Sequence, residues 1–120
     1  MKWDSNLNTL VKIFKALADT NRIRILKILE IRPLCVCEIT AILNLAPSTV
    51  SKHLSILREA GFIFDQKENK WVNYHLNRAS QLPHVKELFP LLCKWLPDDK
   101  EIAKDKEKAR IVNREKLCGT

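Results

Sequence analysis

Leu7, Leu10, Val11, Phe14, Leu17 and Ala18 recur at the 3–4 spacing of one helix face, so residues from about 5 to 18 read as an amphipathic helix. Asp19 stands where an N-cap belongs, before a second helix from Thr20 to about Glu30. There Ile23, Ile25, Leu26, Ile28 and Leu29 cover so much of the circumference that the helix must be nearly surrounded. A short helix follows from Val36 to Leu43, then the break Asn44-Leu45-Ala46-Pro47, then a helix to Ala60. Pro47 suits the first position of that helix and Gly61 a left-handed cap after it. Two helices joined by so short a turn, packing through Ile39, Ile42, Val50 and Leu54, predict a helix-turn-helix.

The next segment has two aromatic and β-branched runs, Phe62-Ile63-Phe64 and Trp71 to Leu76, flanking a polar turn from Asp65 to Lys70. This predicts a hairpin, hence a wing. Val85, Leu88, Phe89, Leu92, Trp95 and Leu96 then form a wide apolar stripe, interrupted by Pro90, which must kink the helix or start a new one, and closed by Pro97. From Asp98 onward charge dominates. Glu101 to Lys104, Asp105 to Lys108 and Glu107 to Arg110 have the i,i+3 spacing that supports an exposed helix. The expected fold is mainly α with a β-hairpin wing: residues 1–97 form the winged helix-turn-helix with its dimerisation surfaces, and 98–120 a charged C-terminal helix or tail.

Composition narrows the class. At 120 residues, 46% hydrophobic and 29% charged, the chain has material for one soluble core. No window approaches the roughly 18 apolar residues of a membrane span, and the first residues lack a signal peptide's apolar core, so the expected setting is cytoplasmic. In that compartment four cysteines at irregular spacing serve as ligands or buried apolar residues rather than as a disulfide framework. The net charge is +7, and Asp98 to Lys116 is nearly balanced, so the positive excess lies on the first 97 residues. That suits a polyanionic partner as well as it suits any basic domain.

On the helix after Pro47, Val50, Leu54 and Leu57 share one face. The opposite face gathers Ser48, Lys52, Ser55 and Glu59, with Thr49, Ser51 and Arg58 on its flanks. Short hydroxyls let a helix lie close in a major groove, and Lys52 can reach a guanine edge or a phosphate. His53 borders the buried stripe and is a candidate either for a phosphate contact or for a packed histidine. In the hairpin turn Lys67, Asn69 and Lys70 are candidates for backbone or minor-groove contacts, against the plain alternative of a wet polar turn.

Cys35 and Cys37 stand one residue apart where the helix-turn-helix begins. Thiolates are soft donors and select soft ions over magnesium or calcium. Residues two apart on an α-helix point about 200° from each other, so both sulfurs reach one ion only if that turn is unwound. Alternatively the two cysteines fill space as small apolar residues.

Four stretches together resemble the ArsR/SmtB family of metal-responsive winged-helix repressors. They are Phe14 to Leu26, Leu34 to Ile39, Ser48 to Gly61, and the wing ending Trp71 to Leu76. The resemblance implies a homodimer that binds double-stranded operator DNA without any cofactor, represses its own operon, and leaves DNA when metal binds. Cadmium- and lead-sensing relatives add cysteines near the N-terminus, where this chain has none before Cys35. Zinc-sensing relatives carry ligands on the last long helix, where only His84 is offered. The branch implied is that of the arsenite and antimonite sensors, with As(III) or Sb(III) as inducer. Some of these have a third cysteine three residues after the second, where this chain has Thr40. The third thiolate must then come from Cys93, Cys118 or a small-molecule thiol. Cys118 is the expected one, since it follows a charged helix with slack and no apolar stripe to join, giving Cys35, Cys37 and Cys118.

Other readings stay open at this level: a repressor of the same family sensing cadmium, lead, cuprous copper or a redox signal, a thiol-transfer protein, or an interaction module with inert cysteines. The thiol-transfer reading lacks a βαβ setting for its cysteines. No constellation points to an enzyme.

Overall fold

Asn6 caps the first helix, its side-chain oxygen accepting from the Thr9 amide at 2.9 Å, and α1 runs Leu7–Leu17. The structure, a computed structural model, describes residues 6–117 and the backbone of Cys118. Asp19 caps α2, Thr20–Leu29, by accepting from the amides of Asn21 and Arg22 at 2.8 and 3.2 Å. Burial raises the Asp19 pKa, but those amides outweigh it and hold the carboxyl below its ordinary value. Next come α3, Val36–Leu43, and α4, Pro47–Glu59. Asn44 turns between them in the left-handed region at φ 57. Gly61 has φ 91, a backbone that favours glycine, and a Cβ there would make the Leu82 side-chain methyl turn aside.

The wing differs from its expectation. Strand β1 is Ile63–Glu68 and β2 is Trp71–Leu76, paired antiparallel from Ile63↔Leu76 to Glu68↔Trp71. Asp65 to Glu68 are therefore strand, and the turn is only Asn69-Lys70, with Asn69 at φ 58. Much of β1 faces water, so it lacks the apolar alternation that would have marked it as strand. Leu34 adds an isolated bridge to Tyr74, its amide donating to the Tyr74 carbonyl at 3.3 Å and its carbonyl accepting at 2.8 Å. The residue before Cys35 is thus tied to the wing by backbone.

Helix α5, Pro83–Lys94, runs through Pro90 as one element, with Pro90 on its exposed side. Buried Lys27 donates to the carbonyls of Leu92 and Trp95 at 2.9 and 2.8 Å, satisfying the end of that helix. The core joins Ile13 and Ala16 of α1, the apolar face of α2, Ile39 and Ile42 of α3, Val50, Leu54 and Leu57 of α4, and Val85 and Phe89 of α5. Phe62 meets Phe89 edge to face at 5.9 Å.

The charged tail is not an exposed helix. Helix α6, Lys100–Ile111, packs on α2 and α3 and buries Ile102, Asp105 and Ala109. Asp105 accepts from Arg24 Nε and Nη2 at 2.7 and 3.0 Å, and Lys106 donates to Glu30 at 3.0 Å. Asp105 turns inward because a half-buried arginine on α2, Arg24, offers it a two-pronged partner. A last short helix, α7, Arg114–Cys118, packs on α3. Among the described residues no helix is long and apolar enough to cross a membrane.

Candidate nucleic-acid interface and thiol site

Helix α4 starts at Pro47 and turns Val50, Leu54 and Leu57 into the core. Ser48, Thr49, Ser51, Lys52 and Ser55 are left exposed on the other side. Short hydroxyls and one lysine on a convex surface can approach a duplex closely, donating to phosphates or base edges. His53 is half-buried, with Nδ1 at 3.1 Å from Nη1 of Arg22, so at most Nε2 is left for a groove. Lys67 lies exposed on β1 rather than in the turn, and Lys70 is in the turn with its ammonium 5.3 Å from the Trp71 ring centroid. Arg58 on α4 donates to Asp65 on β1 at 3.2 Å, which ties the helix to the wing.

Cys35 is the N-cap of α3, in extended backbone at φ −91, ψ 170. Its sulfur accepts from the Glu38 amide, and its own amide donates to Glu38 Oε1 at 3.1 Å, a reciprocal capping box. Because Cys35 lies outside the helix, the angular relation of two helical residues does not apply to this pair. Cys35 is only 4% exposed, and burial pushes its thiol pKa up, while the Glu38 amide partly offsets that by favouring the thiolate.

Cys37, on the first turn of α3, was expected to be reduced and is instead disulfide-bonded. Only the reduced form of that sulfur can take up a soft ion. Cys93 is a free thiol exposed on α5, 3.7 Å from Nη1 of Arg78. The Cys118 side chain lies outside the described residues, but its helix, α7, packs on the helix that carries Cys37. Among the described residues no three His, Cys, Asp or Glu side chains converge as a metal site.

Polar residues that pattern reading passed over hold these pieces together. Glu38, 1% exposed, offers Oε2 to Arg32 Nη2 at 2.8 Å. Arg32 also donates to the carbonyls of Ala109 and Val112 at 3.0 and 2.9 Å, pinning the end of α6 against the start of α3. Arg114 donates to buried Asn73 on β2 at 2.7 Å. The spacing Cys35-x-x-Glu38 was a legible capping-box signal. Arg32, Asn73 and Arg114 gave none, since the Ala109 and Val112 carbonyls that Arg32 meets are distant in sequence, as are Asn73 and Arg114 from each other.

Residues 19–64, from the cap of α2 into β1, match the family described as bacterial regulatory protein, arsR family. The chain is 40% identical over 76 residues to the arsenical resistance operon repressor of Escherichia coli (strain K12), an overlap of 62% of this chain and 61% of that protein. It thus spans about three fifths of that repressor's length. With the arsenic resistance transcriptional regulator ArsR2 of Pseudomonas putida it is 37% identical over 93 residues, covering 72% of this chain and 79% of that one. The homodimeric winged helix-turn-helix DNA-binding domain Mb0332 from Mycobacterium bovis, a possible ArsR-family transcriptional regulator, aligns with a TM-score of 0.61 at 25% identity, over 77% of this chain and 86% of that chain. By fold, matched segment and relatives, the chain belongs to the ArsR family of bacterial regulatory proteins, whose members are transcriptional regulators and not enzymes.

Proposed function

We propose that this protein is a homodimeric, cytoplasmic transcriptional repressor that holds operator DNA in the apo state and is released by As(III) or Sb(III). Helix α4 enters the major groove with Ser48, Thr49, Ser51, Lys52 and Ser55, the wing adds Lys67 and Lys70, and no cofactor is needed for this grip. His53 serves mainly to seat the helix. The dimer forms through α1 and α5, which pack together and leave Leu7 (76% exposed), Phe14 (55%) and Trp95 (48%) uncovered on one molecule. Two helix-turn-helix units related by a two-fold axis then read two half-sites.

The inducer is held by Cys35, Cys37 and Cys118. The observation that carries this is the packing of α7, which ends in Cys118, on α3, whose cap is Cys35 and whose first turn holds Cys37. Each thiol exchanges its proton and an As–O bond for an As–S bond, releasing one water, so trivalent As(OH)3 is consumed by three thiols without any oxidant. The same-family relatives named for arsenic resistance support arsenic. On this reading residues 1–97 carry DNA binding and dimerisation, and 98–120 contribute the third sulfur.

The test is DNA release. Reduced protein bound to its own promoter fragment is titrated with arsenite, antimonite, cadmium and lead while fluorescence anisotropy is followed. Release by the two trivalent metalloids, lost in Cys35→Ser and Cys37→Ser that still bind DNA, is the expected outcome. Release by cadmium or lead alone, or undiminished release in the variants, would overturn it.

A further inference from the structure

We infer that Arg114 is a positioning residue that reports occupancy of the thiol site to the DNA-facing hairpin. The inference rests on Cys118 being a ligand, as proposed above.

The contacts are few and specific. Arg114 opens α7 and Cys118 closes it, so the two are four residues apart on one short helix. The Arg114 guanidinium donates to Asn73 Oδ1 at 2.7 Å and lies 5.0 Å from the Trp71 ring centroid, both on β2. Asn73 is buried and passes the contact across the hairpin, its amide donating to Glu68 Oε1 on β1 at 2.6 Å. The residue next to Asn73 is Tyr74, whose backbone is bridged to Leu34, directly before Cys35. Consecutive residues of β2 are thus gripped from both sides of the thiol site, one by the segment leading into Cys35, the other by the helix ending in Cys118. At its other end the same C-terminal segment is pinned by Arg32, through the Ala109 and Val112 carbonyls and Glu38. These contacts are those of the form in which Cys37 is disulfide-bonded. The span between that pin and Cys118 is short, so a reduced site that takes up an ion shared by Cys35, Cys37 and Cys118 holds α7 differently, and Arg114 with it. A buried asparagine and an aromatic face allow one seating of a planar guanidinium. The hairpin must follow or lose the contact, and the loaded state therefore differs in free energy from the apo state at the wing.

The test compares parent, Arg114→Ala and Arg114→Lys in three measurements: sulfur coordination of bound arsenite by X-ray absorption, operator affinity without inducer, and operator affinity with saturating arsenite. In the parent the ratio of the two affinities is expected on the order of 10- to 100-fold, the usual size of such coupling. In Arg114→Ala arsenite still binds through three sulfurs and the apo affinity and its salt dependence stay near the parent's, but the ratio falls to within about 3-fold of unity. Arg114→Lys keeps the charge over Trp71 but not the planar fork, and falls between. An unchanged ratio in Arg114→Ala overturns the inference, as does a loss of apo affinity with a shallower salt slope, which would make Arg114 a phosphate contact. Fewer than three sulfurs in the parent would instead count against the thiol site itself, and is seen before any variant is made.

Discussion

Arg22 on α2 donates through Nη1 to Nδ1 of His53 on α4 at 3.1 Å, and through Nε and Nη2 to the carbonyls of Ala16 and Lys15 at 2.8 and 2.9 Å. One guanidinium thus joins the end of α1 and the start of α2 to the helix proposed to read DNA. Arginine has no acceptor, so the imidazole must offer the Nδ1 lone pair and carry its proton on Nε2. His53→Ala should cost about 1–3 kcal/mol of stability by leaving a part-buried donor unmatched. The slope of log affinity against log salt should not change. A slope shallower by about 0.9 would show a phosphate contact at His53 instead.

Lys52 is exposed on the outer face of α4, and among the described residues no acceptor accounts for its position. Lys52→Ala is expected to weaken operator and unrelated DNA alike and to reduce the salt slope by about 0.9, as loss of one phosphate contact does. Loss confined to the operator would move Lys52 to a base edge, with about 1–3 kcal/mol of discrimination at one position. Filter binding at several salt concentrations separates the two.

Burial raises the Cys35 thiol pKa, so the folded chain keeps that proton when the unfolded chain, near the ordinary thiol value of about 8.5, has released it. The folded state binds more protons, and stability falls as pH rises from the unfolded value toward the folded one. Cys35→Ser does not titrate there, and serine is a good N-cap, so its stability at pH 7 should stay within about 1 kcal/mol of the parent. The difference in urea stability between parent and variant, followed from pH 7 to 10, should shift in the variant's favour. A flat difference would show that the thiol is not held protonated.

Asp105 is buried and paired with Arg24, so Asp105→Ala removes a two-pronged partner and leaves a mostly covered guanidinium with only Asn21 at 3.1 Å and exposed Glu101 at 3.3 Å. Urea denaturation should show a loss of about 1–3 kcal/mol. A loss under about 0.5 kcal/mol, the size of an exposed i,i+3 pair, would return α6 to the status of a loose appendage.

That helix shows where pattern reading stopped. Helices α1 to α4 were legible because their apolar residues repeat at helical spacing and their ends carry caps: Asp19, Pro47 and Gly61. In α6 the inward face is Ile102, Asp105 and Ala109, one apolar residue, one charge and one small residue, and its burial depends on Arg24, 81 residues away. The wing's first strand was half hidden because Phe64 to Lys67 are all exposed and mostly polar. At the thiol site Cys35 and Cys37 stood out by spacing, whereas Arg32 and Arg114 act through carbonyls and an asparagine brought near only by folding.

The proposal that α7 delivers the third sulfur is tested most directly by arsenic X-ray absorption on the reduced, arsenite-loaded protein. The account predicts three sulfur neighbours in the parent and in Cys93→Ser, and one fewer in Cys118→Ser. Three sulfurs retained in Cys118→Ser, or one lost in Cys93→Ser, would contradict it.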